Sequence, residues 1–283
     1  MNDLIDLHLH STRSDGVRTP TELVTLSCAL GLKAIAIADH DTVDGIDEAL
    51  AAGAACGLEV LPALELSVAF GPYRDVHLLG YLVDHRDPEL LATLKDFRDK
   101  RETRSEAIID KINLKLSVEG RAPIAAAEAA ALAGGALGRP HIAQVLVGKG
   151  YVANMQDAFV RYLIPCDVPK RYFPVAEAFA TIKRLGGVAV LAHPTSITAE
   201  RATLTAVLDE LRALGLQGVE AFNNICGDQE SAWLRAYAER HGLAWTGGSD
   251  YHGIEDGIMI GTGRGNMAIP YACVEALKKI KAG

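Results

Sequence analysis

The stretch "LIDLHLH", residues 4–10, alternates from Ile5 onward: Ile5, Leu7 and Leu9 are apolar, while Asp6, His8 and His10 are polar. A period of two is that of a β-strand, whose successive side chains point to opposite faces. One face of this strand therefore carries an acid and two imidazoles, and Asp15 follows just after its end. The rest of the chain shows what that face is for.

Six further apolar runs read as strands: "AIAIADH", which ends at His40, "LEVLPALELSV" (58–68), "DVHLLGYLV" (75–83), "GVAVLAHP" (187–194), "GVEAFN" (218–223) and "LAWTGGSD" (243–250). Between most of them lie amphipathic segments at 19–32, 44–56, 174–186, 200–214 and 228–242. In the first, Thr19 or Thr21 can cap a helix and Pro20 suits its first turn. Repeated strand–helix units predict a parallel sheet, and about seven of them predict closure into a barrel. The expected fold class is α/β, a seven-stranded (β/α) barrel with a helical insertion.

One region breaks the alternation. From Asp87, "DPELLATLKDFRDKRETRSEAIIDKINLKL" reads as a long charged helix, followed by the Ala-rich helix-loop 125–136 and the helix in "RPHIAQVLVGKGY". The expected division is a barrel of residues 1–86 and 170–283 with a helical insertion, 87–169, over the active site.

Composition narrows the function classes. The 283 residues carry a net charge of −8, and 49% are hydrophobic, with pI near 5.6 and mean hydropathy +0.13. That balance argues against broad adhesion to duplex DNA or an anionic membrane, while leaving room for a local basic pocket. The five scattered cysteines form no CxxC pair, which reads as free thiols in a reducing compartment and hence a cytoplasmic protein. No basic apolar leader and no apolar run of about 20 residues is present in the sequence, so neither export nor a membrane span is expected.

The polar residues stand out by where they fall. His40 follows the second apolar run, Glu65 sits in the third, His77 in the fourth, His193 ends the fifth, Glu220 lies in the sixth, and Asp250 and His252 end the seventh. In a parallel barrel the carboxyl ends of the strands gather at one rim. A lone His on an apolar strand is as readily a hydrogen-bonded core residue, but His8, His10, His40, His77, His193 and His252 all obey one placement rule, and together they predict a metal centre. Mixed imidazole and carboxylate ligands suit manganese, iron or zinc better than calcium or magnesium, and the absence of cysteine ligands argues against a purely structural zinc. Such ions acidify water and clamp phosphoryl oxygens, which is what phosphate ester hydrolysis requires. His85 and His241 read as surface residues.

Taken in order, "DLHLHSTRSDG", "ADHDT", the Glu of "ALELSV", "VHLLGY", "LAHP" and "GSDYHG" resemble the motifs of the PHP (polymerase and histidinol phosphatase) phosphoesterases. The chain looks most like stand-alone members with a helical insertion, some of which are 3′,5′-nucleotide bisphosphate phosphatases and some 5′-3′ exoribonucleases. The resemblance implies a distorted barrel and two or three divalent ions, most commonly manganese, with iron or zinc as alternatives. It implies a first ion on His8, His10, Glu65 and Asp250, a second bridged by Glu65 and completed by His77 and His193, and a third on Asp15, His40 and His252. Asp15 stands where some members have His, which puts the strength or metal preference of the third site in doubt. Glu65 and His193 are the expected catalytic residues, together with Asp41 as a proton shuttle; a helix N-cap is the competing role for Asp41. Asp6 and Asp39 are candidates to orient ligand histidines through their other ring N–H. Glu220 faces the same rim or simply accepts backbone hydrogen bonds.

For substrate binding, "GRPHIAQVL" places Arg139 and His141 at a helix start, where N–H groups and the dipole favour anions. The resemblance suggests phosphate contact there. Lys170 and Arg171 form a second basic spot; Arg101 and Arg104, in a run of alternating charge, read more readily as a solvated face. The expected partner is a small phosphorylated substrate, a nucleotide or a short RNA end, hydrolysed as a phosphomonoester or trimmed in the 5′-3′ direction. The alternatives are histidinol phosphate or another small metabolite, amide or ester hydrolysis by the same cluster, and a polymerase-associated or regulatory module with little turnover. Oligomeric state is not written in the sequence.

Overall fold

A computed structural model describes residues 3–133, 137–169 and 171–282, with backbone alone at 74–75 and 101–102. The strands are β1 (Ile5–Leu9), β2 (Ala34–Ile37), β3 (Glu59–Phe70), β4 (Tyr73–Tyr81), β5 (Phe173–Pro174), β6 (Val188–Leu191), β7 (Gly218–Phe222) and β8 (Ala244–Gly247). The helices are α1 (Pro20–Ala29), α2 (Ile46–Cys56), α3 (Pro88–Val118), α4 (Ala126–Leu132), α5 (Arg139–Gly148), α6 (Met155–Ala158), α7 (Val175–Arg184), α8 (Arg201–Leu214), α9 (Asp228–Arg240) and α10 (Ala272–Ala282). The sheet runs β1-β2-β3-β4-β6-β7-β8, with β5 paired to β3 off that path. The amide of His10 donates to the carbonyl of Tyr251 at 3.0 Å and that of Ile5 to Ile269 at 3.0 Å, so the two ends of the sheet meet and the barrel is nearly closed.

The barrel is mixed, which corrects the all-parallel expectation. β4 runs antiparallel to both neighbours, β3 and β6; the other pairings are parallel. The reason is local. Only Gly71 and Pro72 separate β3 from β4; a parallel return needs a crossover of a dozen or more residues, so the chain can only fold back on itself. Gly71, at φ +53°, takes the left-handed backbone that such a turn demands. The reversal puts the amino-terminal half of β4, not its carboxyl end, at the working rim, where His77 lies opposite Ser67 of β3.

Alternation sorts each strand between two layers. Ala34, Ala36, Ala38, Leu61, Ala63, Leu79, Tyr81, Val190 and Ala192 share one buried cluster inside the barrel. Ile35 and Ile37, one residue out of phase, pack instead with Leu23, Val24 and Ala49 of α1 and α2. Leu64, Leu66 and Leu78 likewise face Phe179, Ile182, Leu208 and Leu234 of α7, α8 and α9. On β2, β3 and β4 side chains of the same parity as this layer continue to the rim as His40, Glu65 and His77; on β1, where Ile5 and Leu7 belong to the layer, the register shifts between Asp6 and Leu9 and His8 and His10 are of the opposite parity.

The capping signals act locally: Thr19, not Thr21, forms a capping box with Glu22 at α1, and the Asp87 carboxylate accepts the Leu90 amide at 2.8 Å at the start of α3. α3 spans two packing environments. Its Leu90, Leu94 and Phe97 belong to the outer core of the barrel, whereas Ile108, Ile109, Ile112 and Leu116 join a separate cluster with Ile142, Leu146, Tyr162 and Leu163. Among the described residues no helix is long and apolar enough to cross a membrane.

Closure of the barrel leaves no room between β8 and β1. A Cβ at Gly248 would lie 2.1 Å from Cβ of His8 and 2.4 Å from its backbone nitrogen. Gly248→Ala is therefore expected to cost about 3 kcal/mol or more, read as a lowered midpoint in urea unfolding. A loss under about 1 kcal/mol would mean that the strands do not approach this closely.

Candidate metal centre

The strand ends assemble one cluster around Glu65, which is fully buried on β3. Its Oε2 lies 2.8 Å from His40 Nδ1, 3.3 Å from His10 Nε2 and 3.4 Å from His8 Nε2. Oε1 lies 3.1 Å from His77 Nδ1 and 3.1 Å from His193 Nε2. One carboxylate thus presents each oxygen to a different set of imidazoles. Asp250 Oδ1 stands 3.1 Å from His10 Nε2 and 3.6 Å from His8 Nε2. Asp15 reaches His252 Nε2 at 3.4 Å, His10 Nδ1 at 3.7 Å and His40 Nε2 at 3.8 Å.

The backbone is held in sparsely populated conformations at this rim. Asp41 (φ 51°), His193 (φ 28°) and Asp250 (φ 51°) all have positive φ without being glycine. Such conformations persist where the surroundings over-determine them, and they concentrate at functional sites.

The electrostatics follow from burial against proximity. Burial alone would raise the pKa of Glu65 and Asp250, but His40, His77 and His8 around the first, and His8, His10 and His252 around the second, hold both well below the ordinary carboxylate range. His10 is pushed down to about 3, by burial first and then by its neighbours His252 and His40. Burial also disfavours charge on His252, yet Asp15 and Asp250 outweigh it and bring that imidazole up to about 10. Glu65, Asp250 and, through His40 and His252, Asp15 are thus held in the ionised form, and positive charge must come from imidazolium protons or from cations.

The residues fit divalent cations. His10 Nδ1 and His77 Nε2 are buried and make no hydrogen bond, and the Nε2 atoms of His8 and His10 face each other at 3.1 Å. Three groupings have ligand atoms close enough to share an ion: His8, His10 and Glu65; His40, Glu65 and His77; and His10, Asp15, His40 and His252. The donors are nitrogen and oxygen without sulfur, a set suited to manganese, iron or zinc. The groupings differ from the expected ligand sets: His10 and His40 each stand in two of them, whereas Asp250 and His193 stand in none, although Asp250 lies 3.1 Å from His10 Nε2 and His193 3.1 Å from Glu65 Oε1.

Outer contacts orient several rings. His8 Nδ1 meets Glu220 Oε1 at 2.9 Å, His193 Nδ1 meets Ser196 Oγ at 2.9 Å, and His252 Nδ1 meets the Asp250 carbonyl at 2.9 Å. The orienting role expected of Asp6 and Asp39 does not materialise. Asp6 accepts the amides of His8, Ser249 and Gly261 at 3.3, 2.9 and 2.7 Å, and burial brings its carboxyl up to about 6. Asp39 ties down the loop after β1 through the Ser11 amide and the hydroxyls of Ser11 and Ser14. Both act on backbone and loop because each lies one step below the ring nitrogens. Asp41 is no helix cap either: its carboxylate accepts the Ser67 amide at 2.9 Å and the Ser67 hydroxyl at 3.2 Å, while Gly45 occupies the N-cap of α2.

Above the cluster lies a cavity of about 480 Å³ whose floor includes Asp15, His40, Asp41 and His77 and whose roof carries Phe97, Lys100, Arg104, Arg139, Phe159 and Arg171. The Arg139 guanidinium sits 5.8 Å over the Phe159 ring and that of Arg171 4.8 Å over Phe97. Arg104 is braced by the Val168 carbonyl at 2.6 Å and Asp167 at 2.6 Å. Arg104, a weaker candidate by sequence because alternating charge usually marks a solvated face, lines the cavity, as do Phe97 and Lys100, which no sequence motif marks. Their spacing along α3, at i, i+3 and i+7, is the stripe that could have revealed them. His141 is 5% exposed, and its Nδ1 accepts the Gly138 amide at 3.1 Å, which gives it a helix-capping contact. Lys170 lies outside the described residues.

Comparison with known proteins agrees with this geometry. Residues 6–147 match the PHP domain. The chain is 35% identical over 257 residues to a 5′-3′ exoribonuclease of Haemophilus influenzae, covering 89% of this chain and 91% of that one. It is 33% identical over 268 residues to a 3′,5′-nucleoside bisphosphate phosphatase of Chromobacterium violaceum, covering 89% and 88%. The crystal structure of an amidohydrolase from Chromobacterium violaceum, with bound sulfate and no metal, superimposes with a TM-score of 0.80 at 32% identity over 91% of this chain and 89% of that one.

A ligand that binds the folded state alone stabilises it by mass action. Manganese, iron or zinc added to chelator-treated protein is expected to raise Tm with concentration, and His10→Ala to flatten that response. A Tm indifferent to all three ions would count against cation binding.

Proposed function

The chain belongs to the PHP family of metal-dependent phosphoesterases, and from that premise we propose that it hydrolyses phosphate monoesters of nucleotides, as a 3′,5′-bisphosphate nucleotide phosphatase or by trimming short RNA in the 5′-3′ direction. The observation that carries the reading is the two-sided cavity. Its floor is the carboxylate and imidazole cluster, and its roof brings Lys100, Arg104, Arg139 and Arg171 together with the rings of Phe97 and Phe159. A molecule with one phosphate for the floor, another for the guanidinium groups and a flat base for the aromatic rings matches that chemistry. Histidinol phosphate, with one phosphate and a cationic amine, matches a basic roof less well. The names of the Haemophilus and Chromobacterium relatives point to the same substrate class.

In this reading His8, His10, Glu65 and Asp250 hold a first divalent ion, Glu65, His77 and His193 a second, and Asp15, His40 and His252 a third. Manganese is the first choice, with iron or zinc as alternatives. Ions bound there would supply a water acidic enough to attack phosphorus near neutral pH and positive charge for the phosphoryl oxygens. The protein's own groups do the rest. Glu65 spaces the two imidazole sets through its separate oxygens, and His193 closes the cluster from the side of β6. Asp41, locked by Ser67 and lining the cavity, holds a proton for the departing oxygen. Arg139 grips the distal phosphate and His141 secures the helix start beneath it, while Lys170, the neighbour of Arg171 in the sequence, is a further basic candidate. Residues 87–169 form the helical cover, over a barrel of 1–86 and 170–283. The five free thiols support a cytoplasmic setting.

The test is a side-by-side release of phosphate from adenosine 3′,5′-bisphosphate, short 5′-phosphorylated RNA and histidinol phosphate. Either of the first two is expected to be preferred; preference for the third would overturn the substrate reading. His8→Ala and Glu65→Ala are expected to lower kcat by roughly a thousandfold or more with unchanged circular dichroism, and full activity in chelated protein would sink the mechanism. Arg139→Ala should raise KM for the bisphosphate by roughly 10 to 100-fold with a smaller change in kcat. An unchanged KM would leave Arg139 with a structural role alone.

A further inference from the structure

Glu220 is fully buried on β7, with one carboxylate oxygen against His8 Nδ1 and the other accepting the His193 amide. We propose that it is a positioning residue that sets the ring of His8 and the backbone of His193 at once, and so couples the two ends of the cluster. The inference rests on the reading of that cluster as a metal centre.

A carboxylate can only accept hydrogen bonds. Glu220 Oε1, 2.9 Å from His8 Nδ1, requires the proton of a neutral His8 to sit on Nδ1. The lone pair of Nε2 then points toward Glu65 Oε2 at 3.4 Å and Asp250 Oδ1 at 3.6 Å, the side on which a cation would bind. The other oxygen, Oε2, accepts the backbone N–H of His193 at 2.8 Å. That residue sits at φ 28°, ψ 60°, an unfavourable conformation for a side chain with a Cβ. The bond offsets the strain and aims the ring at Glu65 Oε1, 3.1 Å away. With both oxygens engaged by donors, Glu220 is poorly placed to be a ligand itself. It stands opposite Thr246 of β8, on the strand next to β6 and one strand removed from β1 across the closure, and so its side chain reaches groups on both sides.

The amide of glutamine has the same shape but a single acceptor oxygen. In Glu220→Gln one of the two donors must face an NH2 group, so either the tautomer of His8 or the turn at His193 is lost. Wild type, E220Q, E220D and the control H8A are freed of metal by chelation and titrated with Mn²⁺, with free ion read by electron paramagnetic resonance and folding read by the melting of the metal-free proteins. E220Q is expected to bind Mn²⁺ roughly 10 to 100-fold more weakly while the metal-free melting curve stays close to that of wild type. E220D, which keeps the charge and both acceptors at shorter reach, should recover part of the affinity. Affinity of E220Q within twofold of wild type would overturn the proposal, and if E220Q does not fold, Glu220→Leu, which removes both acceptors, is held to the same criterion. If neither variant folds, Glu220 is a structural residue and the proposal fails. Loss of Mn²⁺ binding in H8A but not in E220Q would leave the metal-centre reading standing and sink this inference alone, whereas no uptake by wild type would overturn both.

Discussion

The burial of Glu65 is the constraint on which the site depends. An ionised carboxylate without solvent must be compensated on both oxygens or it will neutralise itself. Here five imidazoles carried by four strands do the compensating: His8, His10 and His40 at Oε2, His77 and His193 at Oε1. None of these contacts is local in the chain. His77 comes across the β3–β4 hairpin and His40 from the neighbouring strand, but His8, His10 and His193 come from strands that do not pair with β3, and together these partners make a carboxylate at the barrel mouth tolerable. Fold and candidate site are thus two descriptions of one packing solution.

That solution uses alternation and interruption together. Alternation lets Ala34, Ala36 and Ala38 fill the barrel interior while keeping its mouth narrow enough for opposing strands to meet there. Interruption supplies the ligands: where a strand ends, the backbone turns through positive φ at Asp41, His193 and Asp250, and side chains swing from the wall toward the axis. The reversal of β4 is the exception that shows the rule. His77 reaches the rim because the hairpin through Gly71 and Pro72 runs its strand backwards, against the expectation that every strand contributes from its carboxyl end.

The helical segment adds the opposite charge. A floor built around Asp15, Glu65 and Asp250 repels anions until cations offset it, whereas the roof presents Lys100, Arg104, Arg139 and Arg171 with its charges partly tethered by Asp96 and Asp167. Acidic and basic side chains thus line the same cavity.

The order of elements, the family motifs and the identity of the imidazoles and acids at the rim were legible in the sequence because they obey short periods: two along a strand, and a polar residue where an apolar run stops. Arg104 was legible as a residue and misread as to place, since a charged helix looks solvated whether or not something lies opposite one of its faces. The misassigned partners, Asp6 and Asp39 in place of Glu220, lie at the same limit. Which nitrogen meets which oxygen depends on the rotation of strands far apart in the chain, 212 residues in the case of His8 and Glu220, and no local pattern encodes that rotation. Sequence determined which side chains can do chemistry and on which faces of which elements they stand. Only the closed, mixed barrel decided which of them touch, because contact between distant strands is set by register and twist summed around the whole ring.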